Sequence, residues 1–145
     1  MKEIKAVIDT NVFVRMLIGK SATLLKLYQA FIEGDFTPII SPPIKEEILE
    51  ITARPRIKKY FTPLEIKRFK ELLETDTIMT IPAKKVSLCR DHEDNMIIEA
   101  AIEAKVKYIV SLDKDLLEIP SAKLAPLGVK VITPEEFLKA ISGNK

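Results

Sequence analysis

Four acidic side chains recur in the same relation to the apolar segments of this chain. Asp9 directly follows the apolar run at residues 4–8, and Asp113 follows a second such run. Glu47 and Asp94 each lie in the first turns of a segment with helical periodicity. Carboxylates within a few ångströms of one another repel strongly unless they take up protons or bind divalent cations. The pattern therefore predicts an acidic pocket that binds metal.

Each of these acids also has a structural role open to it. Asp9 and Asp113 could each cap the helical turn that follows, and Asp115 could replace Asp113 in that role. Asp94 lies in the first turn of its helix, where the helix dipole stabilises an acid. Glu47 could lie on a solvated helix face beside other acids. The placement of the four acids together favours a shared pocket over four separate structural roles. Asp9 and Asp113 become neighbours if the first and fourth strands lie side by side.

Hydrophobic periodicity and capping residues predict the elements that would position these acids. Short apolar segments predict five strands, at residues 4–8, 36–40, 77–81, 108–112 and 129–132. Helix starts are predicted at Ser21, Ser41, Thr62, Asp91 and Thr133. Residues 51–60 are interpreted as a break between two helices of a hairpin-like insertion. Strands that alternate with helices predict a parallel sheet with helices on both faces.

Length and composition narrow the classes of function. A chain of 145 residues predicts one domain over residues 1–145. Cys89 is the only cysteine, which excludes an internal disulfide and a multi-cysteine zinc site. The sequence shows neither a signal-peptide pattern nor the ~20 apolar residues of a membrane span, so we expect a cytoplasmic protein without membrane contact. Oxygen ligands without histidine or cysteine favour Mg²⁺ or Mn²⁺ over zinc.

Four segments, taken in their order and spacing, resemble the PIN-domain ribonucleases. They are Asp9-Thr10-Asn11, the helix start from Ser41 to Glu47, Asp91-x-x-Asp94-Asn95, and Val110-Ser111-Leu112-Asp113-Lys114-Asp115-Leu116-Leu117. The resemblance spans nearly the whole chain and is greatest to prokaryotic stand-alone PIN proteins, including the toxins of toxin–antitoxin pairs. One departure is Leu112, because the family more often has a small or amide residue there.

The resemblance implies a fold, an activity and a set of site residues. The fold would be a three-layer α/β/α sandwich with a mostly parallel five-stranded sheet, and the activity that of an endoribonuclease that cleaves single-stranded RNA. The catalytic residues, which would also bind one or two Mg²⁺ or Mn²⁺ ions, would be Asp9, Glu47, Asp94 and Asp113. Supporting residues would be Asn11, Ser111 and Asp115, the first two by orienting carboxylates or water. A homodimer and, for a toxin, an antitoxin partner are also implied.

A net charge of +2 is too small to argue for RNA binding by itself. The distribution of the basic residues along the chain indicates where RNA would bind. Residues 54–70 contain one acid, Glu65, and seven basic residues: Arg54, Arg56, Lys58, Lys59, Lys67, Arg68 and Lys70. Tyr60 and Phe61 lie among them and could stack on bases. Arg15, one helix length from Asp9, is a further candidate for a phosphate contact. The alternative interpretation is a solvated helix face with the apolar residues Phe69, Leu72 and Leu73 turned to the core.

Two other classes of function remain open. One is a PIN-like binding module that holds RNA or a partner protein without cleaving it. The other is an aspartyl-phosphate protein, either a receiver or a haloacid-dehalogenase-like phosphatase, with Asp9 as nucleophile. The phosphatase pattern expects a second aspartate two residues on, where this chain has Asn11. A dimer seam or an antitoxin groove could use apolar helix residues, namely Leu24, Leu25, Leu27 and Phe31, although most of these are expected in the core.

Overall fold

A five-stranded sheet forms the centre of the computed structural model, which describes residues 3–143. Its strands are β1 (Lys5–Ile8), β2 (Thr37–Ile40), β3 (Ile78–Met79), β4 (Tyr108–Val110) and β5 (Lys130–Ile132). Every pairing is parallel, and the strand order is β3-β2-β1-β4-β5. All the predicted strands are present, although each is shorter than the apolar run that predicts it. The predicted α/β fold with a five-stranded parallel sheet is confirmed.

Helices fill the connections between the strands. They are α1 (Thr10–Ile18), α2 (Ala22–Ile32), α3 (Pro42–Ala53), α4 (Pro55–Lys58), α5 (Pro63–Thr75), α6 (His92–Ala104), α7 (Lys114–Leu117), α8 (Ser121–Leu124) and α9 (Pro134–Ser142). The segment 51–60 is not a simple break between two helices, as predicted. Pro55 ends α3 and is also the first residue of the one-turn helix α4. No helix within residues 3–143 is long and apolar enough to cross a membrane.

Capping residues begin the helices where the sequence predicts. The side chains of Ser21, Ser41, Thr62, Asp91 and Thr133 each accept a hydrogen bond from a backbone N–H of the following turn. The two threonines form complete capping boxes, in which a glutamate three residues on accepts from the backbone N–H of the cap. The first turn of α6, which carries Asp94, is fixed in this way.

A row of buried aromatic rings packs α1, α2, α5 and α9 together. Phe13 contacts Phe31 and Phe69 edge-on, and Phe36 contacts both Phe31 and Phe137. The helix α6 packs on β1, β2 and β4. Of the four apolar residues considered for a dimer seam, three are buried in the core and Leu25 is 45% exposed. The core therefore leaves only Leu25 of that set at the surface.

Residues 80–91, here called the strap, join β3 to α6 without forming a helix or strand. Three α6 side chains hold the strap by its backbone N–H groups. Glu103 accepts from Ala83 at 2.8 Å, Glu99 from Val86 at 2.9 Å and Asn95 from Cys89 at 2.9 Å. These acceptors are spaced four residues apart, so they share one face of the helix. The strap thus lies along the helix that carries Asp94.

Candidate active site

The carboxyl ends of β1 and β4 lie side by side at the point where the strand order reverses. The two strands pair in register, with Ile8 opposite Val110. Asp9 follows Ile8 directly, and its backbone N–H donates to the Val110 carbonyl at 2.9 Å. Asp113 lies three residues beyond Val110, as the N-cap of α7. Open parallel sheets bind their ligands at such a switch point, so the strand order brings both acids to the expected place.

Ser111 connects the two acids. Its side chain is completely buried, and its Oγ donates to Asp9 Oδ2 at 2.8 Å. The same Oγ accepts from the backbone N–H of Asp113 at 3.0 Å. Asp113 Oδ1 in turn accepts from the backbone N–H of Asp115 at 2.9 Å. One hydroxyl therefore orients the Asp9 carboxylate and fixes the start of the turn that carries Asp113, which is the geometry that the predicted supporting role requires.

Burial and mutual repulsion raise the pKa values of three carboxyl groups. Asp9 is 6% exposed, and burial, followed by the charge of Asp113, raises its pKa although the bond from Ser111 opposes this. Burial raises the pKa of Asp94 to about 7, and the charges of Asp113 and Asp9 contribute to the same shift. Burial also raises the pKa of Glu47, with Asp9 adding to the effect. The four predicted acids thus act on one another across a single electrostatic cluster.

The donor chemistry of this cluster fits a hard divalent cation. Its groups are carboxylates and a hydroxyl, and oxygen donors are the ligands that Mg²⁺ and Mn²⁺ prefer. A bound cation would reverse the raised pKa values, since it favours the ionised form of each carboxyl. Within residues 3–143, no three Asp, Glu, His or Cys side chains already converge on one point. Binding would therefore require rotations that draw the carboxylates inward.

The rim of the cluster contains predicted residues and others that the sequence did not indicate. Asn11 on α1 and Asp115 on α7 are exposed, as supporting residues at a rim would be. Glu93 was not predicted, yet its charge helps to raise the pKa of Glu47. Cys89 of the strap entered the sequence analysis only as the single cysteine, which excludes a disulfide and a multi-cysteine zinc site. Burial, then the charges of nearby acids beginning with Asp94, raises the pKa of its thiol, so it lies beside the cluster.

The predicted RNA contacts lie on exposed surface. Arg54, Arg56, Lys58 and Lys59 are all exposed around α4. Arg54 forms an ion pair with Glu50, with 2.9 Å between its guanidinium and the carboxylate. In α5, Phe69 and Leu73 are buried and Leu72 packs against the core, so the basic residues of that helix lie on its solvated side. Arg15 is exposed on α1 and lines one cavity with Tyr60, which follows the basic residues of the α4 region.

Comparisons with known proteins bear on both the sequence and the fold. A family model described as a PIN domain matches residues 5–115. An uncharacterized protein of Methanocaldococcus jannaschii is 31% identical over 142 residues, covering 94% of this chain and 91% of that protein. A solved PilT N-terminus domain protein from the hyperthermophilic archaeon Sulfolobus solfataricus has the same fold, with a TM-score of 0.57. Its sequence identity is 17%, and the match covers 95% of this chain and 93% of that one.

Proposed function

The chain belongs to the PIN-domain family, whose members are generally nucleases, and from this premise we propose that it is a Mg²⁺- or Mn²⁺-dependent endoribonuclease that cleaves single-stranded RNA. The observation that carries the proposal is the buried Asp9 carboxylate, oriented by Ser111 at the switch point of the sheet. A capping role alone does not account for it, because the Asp9 carboxylate also accepts a hydrogen bond from the buried Ser111 hydroxyl beyond β4. Electrostatic coupling of Asp9 to the other acids supports a shared function.

Asp9, Glu47, Asp94 and Asp113 would hold the metal. A cation bound there would lower the pKa of an attacking water and stabilise charge on the phosphate oxygens during an in-line displacement. The chain's own contribution is orientation and charge. Ser111 Oγ holds the Asp9 carboxylate in one rotamer, and the Asp94 carboxyl, with a pKa of about 7, must release its proton before it can act as a ligand. Because water rather than the 2′-hydroxyl attacks, the products would carry 5′-phosphate and 3′-hydroxyl ends.

Cleavage of an end-labelled pool of single-stranded RNA tests this proposal. The purified protein should cut the pool in Mg²⁺ or Mn²⁺, and cutting should stop in EDTA and with Asp9→Asn. Chemical analysis of the ends should find 5′-phosphates. Products that end in 2′,3′-cyclic phosphates would contradict attack by water, and RNA binding without any cleavage would favour the non-catalytic binding module.

Replacing Ser111 tests whether carboxylate orientation matters. Ser111→Ala removes the hydroxyl that donates to Asp9 and accepts from the Asp113 backbone. We expect cleavage to fall about 10- to 100-fold, the usual cost of losing a group that orients a metal ligand. The apparent metal affinity, measured by titrating cleavage with Mn²⁺, should fall with it. Ser142→Ala changes an exposed serine at the end of α9 and should cleave like the wild type. Equal rates for the two variants would contradict the role of Ser111.

A toxin role, an antitoxin partner and a homodimer extend the same proposal. These proposals are supported by the resemblance to stand-alone PIN toxins. The apolar residues considered for a dimer seam add little support, because most of them are buried in the core. Sedimentation of the purified protein over a range of concentrations would test the dimer, and a growth assay on induced expression would test toxicity.

A further inference from the structure

A groove runs along the outer side of α1, and one end of it reaches Leu112. Two adjoining cavities share the lining residues Arg15, Ser21 and Leu24. One, of about 330 Å³, extends to Lys20 and Tyr60. The other, of about 400 Å³, extends to Leu112, the residue that immediately precedes Asp113 in the chain. Together they form a path from Leu112 to Tyr60.

The geometry of α1 fixes the length of this path. Asn11, Arg15 and Ile18 are spaced by four and three residues, so they lie on one face of the helix. Asn11 lies two residues past Asp9, whereas Ile18 lines the cavity that contains Tyr60. At 1.5 Å per residue, the seven-residue step from Asn11 to Ile18 spans about 11 Å. Arg15 is exposed between them and lines both cavities.

Tyr60 presents an open aromatic ring surrounded by cations. The residue is 42% exposed, and its hydroxyl accepts a hydrogen bond from Lys20 Nζ at 3.3 Å. The same Nζ lies 4.4 Å from the ring centroid, so it is closer to the hydroxyl than to the centre of the ring. Lys59 Nζ lies 5.5 Å from the centroid. Both ammonium groups therefore form cation–π contacts with a ring that is otherwise open to solvent.

The backbone around Lys20 explains why this lysine meets a residue 40 positions away. Gly19 ends α1 in a left-handed conformation with φ of 67°, and its N–H donates to the Arg15 carbonyl at 3.0 Å. Glycine adopts this conformation without the steric cost that a side chain would add. The chain turns sharply there, and Lys20 lies beside Tyr60 in the same cavity.

We propose that Tyr60 is the stacking platform of a nucleotide subsite, remote from the cleaved phosphate, that selects single-stranded RNA. A base would stack on the Tyr60 ring once Lys20 and Lys59 turn from the ring to phosphates of the same strand, which Arg15 would also bind. The inference rests on the proposed function, because it takes the acidic cluster as the place of cleavage. Stacking on an aromatic ring accepts any base but requires an unpaired one, since the faces of a paired base are covered within the duplex. The subsite thus gives strand selectivity without sequence selectivity.

Binding of labelled oligouridylate by the protein in EDTA tests the platform apart from cleavage. Tyr60→Ala should weaken binding about ten-fold, within the range measured for one base stacked on an aromatic ring. Tyr60→Phe keeps the ring and should stay within about two-fold of wild type. Leu64→Ala, which removes an exposed apolar side chain of α5 outside the groove, is the matched control and should bind normally. Wild-type affinity for Tyr60→Ala, or an equal loss for a perfectly paired RNA duplex, would overturn the subsite.

Cleavage of a length series in Mn²⁺ separates this inference from the proposed function. For long oligouridylates Tyr60→Ala should raise KM without lowering kcat, and for a dinucleotide it should change neither. The same kcat loss on all lengths would place Tyr60 in the chemistry and overturn a remote subsite. An absence of cleavage by every variant, with the binding defect of Tyr60→Ala intact, would overturn the nuclease and support the subsite as part of a binding module.

Discussion

Asp94→Asn is expected to abolish RNA cleavage and, at the same time, to stabilise the metal-free protein above neutral pH. Burial and then the charges of neighbouring acids raise the pKa of Asp94 from its ordinary 3.8 to about 7. The folded protein therefore keeps this proton over a pH range in which the unfolded chain has lost it. The free energy of unfolding falls as pH rises through that range, and the loss is complete above about pH 7.

The size of this effect follows from the shift. Three pKa units correspond to about 4 kcal/mol as an upper bound, so asparagine, which cannot ionise, should recover part of that amount at high pH. Cleavage by the variant should fall at least about 100-fold, because a metal ligand is lost. Urea unfolding in EDTA at about pH 5 and about pH 8 measures the first effect, and the stability difference between variant and wild type should grow with pH.

A second aspartate provides the control. Asp76→Asn changes an exposed carboxylate at the end of α5 and should unfold with the wild-type pH dependence. Added Mn²⁺ should stabilise the wild type more than Asp94→Asn, since ligand binding to the folded state adds to its stability. If Asp94→Asn instead follows the same pH curve as the wild type, the raised pKa assigned to Asp94 is wrong.

Asp9→Asn should lose RNA cleavage about 1000-fold while leaving the fold intact. The amide is the same size as the carboxylate, and its oxygen can still accept the hydrogen bond from Ser111. What is lost is the negative charge at the centre of the cluster, on which cation binding depends. Single-turnover cleavage, Mn²⁺ calorimetry and circular dichroism together measure the rate, the metal affinity and the fold.

Asp115→Asn is a second variant, for which we expect a much smaller loss of cleavage than for Asp9→Asn. Asp115 is exposed, and its contact with Asp113 uses its backbone N–H, which the substitution keeps. We therefore expect cleavage to fall less than about ten-fold, far less than for Asp9→Asn. If the two variants lose activity equally, the cluster is organised around α7 rather than around the end of β1. If Asp9→Asn cuts at the wild-type rate, the assigned pocket is wrong.

Local signals explain what the sequence could predict. The capping boxes at Thr62 and Thr133 depend on a glutamate three residues away, so they are visible in a short window and are present as predicted. Asp9 and Asp113 could be placed at strand ends because the apolar runs before them are short and bounded. The segment 51–60 was mispredicted in detail, since Pro55 not only ends α3 but also begins a further turn of helix.

Contacts across long separations could not be predicted in the same way. The bond from Ser111 to Asp9 spans 102 residues, and the one from Lys20 to Tyr60 spans 40. Both depend on strand order and on how helices pack, and neither residue type at these positions signals its partner. Glu99 is a further example. In the sequence it is one of several charged residues of α6, but in the structure it is buried and accepts a hydrogen bond from the backbone N–H of Val86 in the strap.

The position of β1 between β2 and β4 sets when the acidic cluster can exist during synthesis. The hydroxyl that orients Asp9 and the strand that flanks it leave the ribosome about a hundred residues after Asp9 itself. Until β4 emerges, β1 has only β2 as a neighbour and Asp9 faces neither Ser111 nor Asp113. A nascent chain that has not yet extended to β4, or a fragment terminated before β4, therefore lacks the assembled pocket.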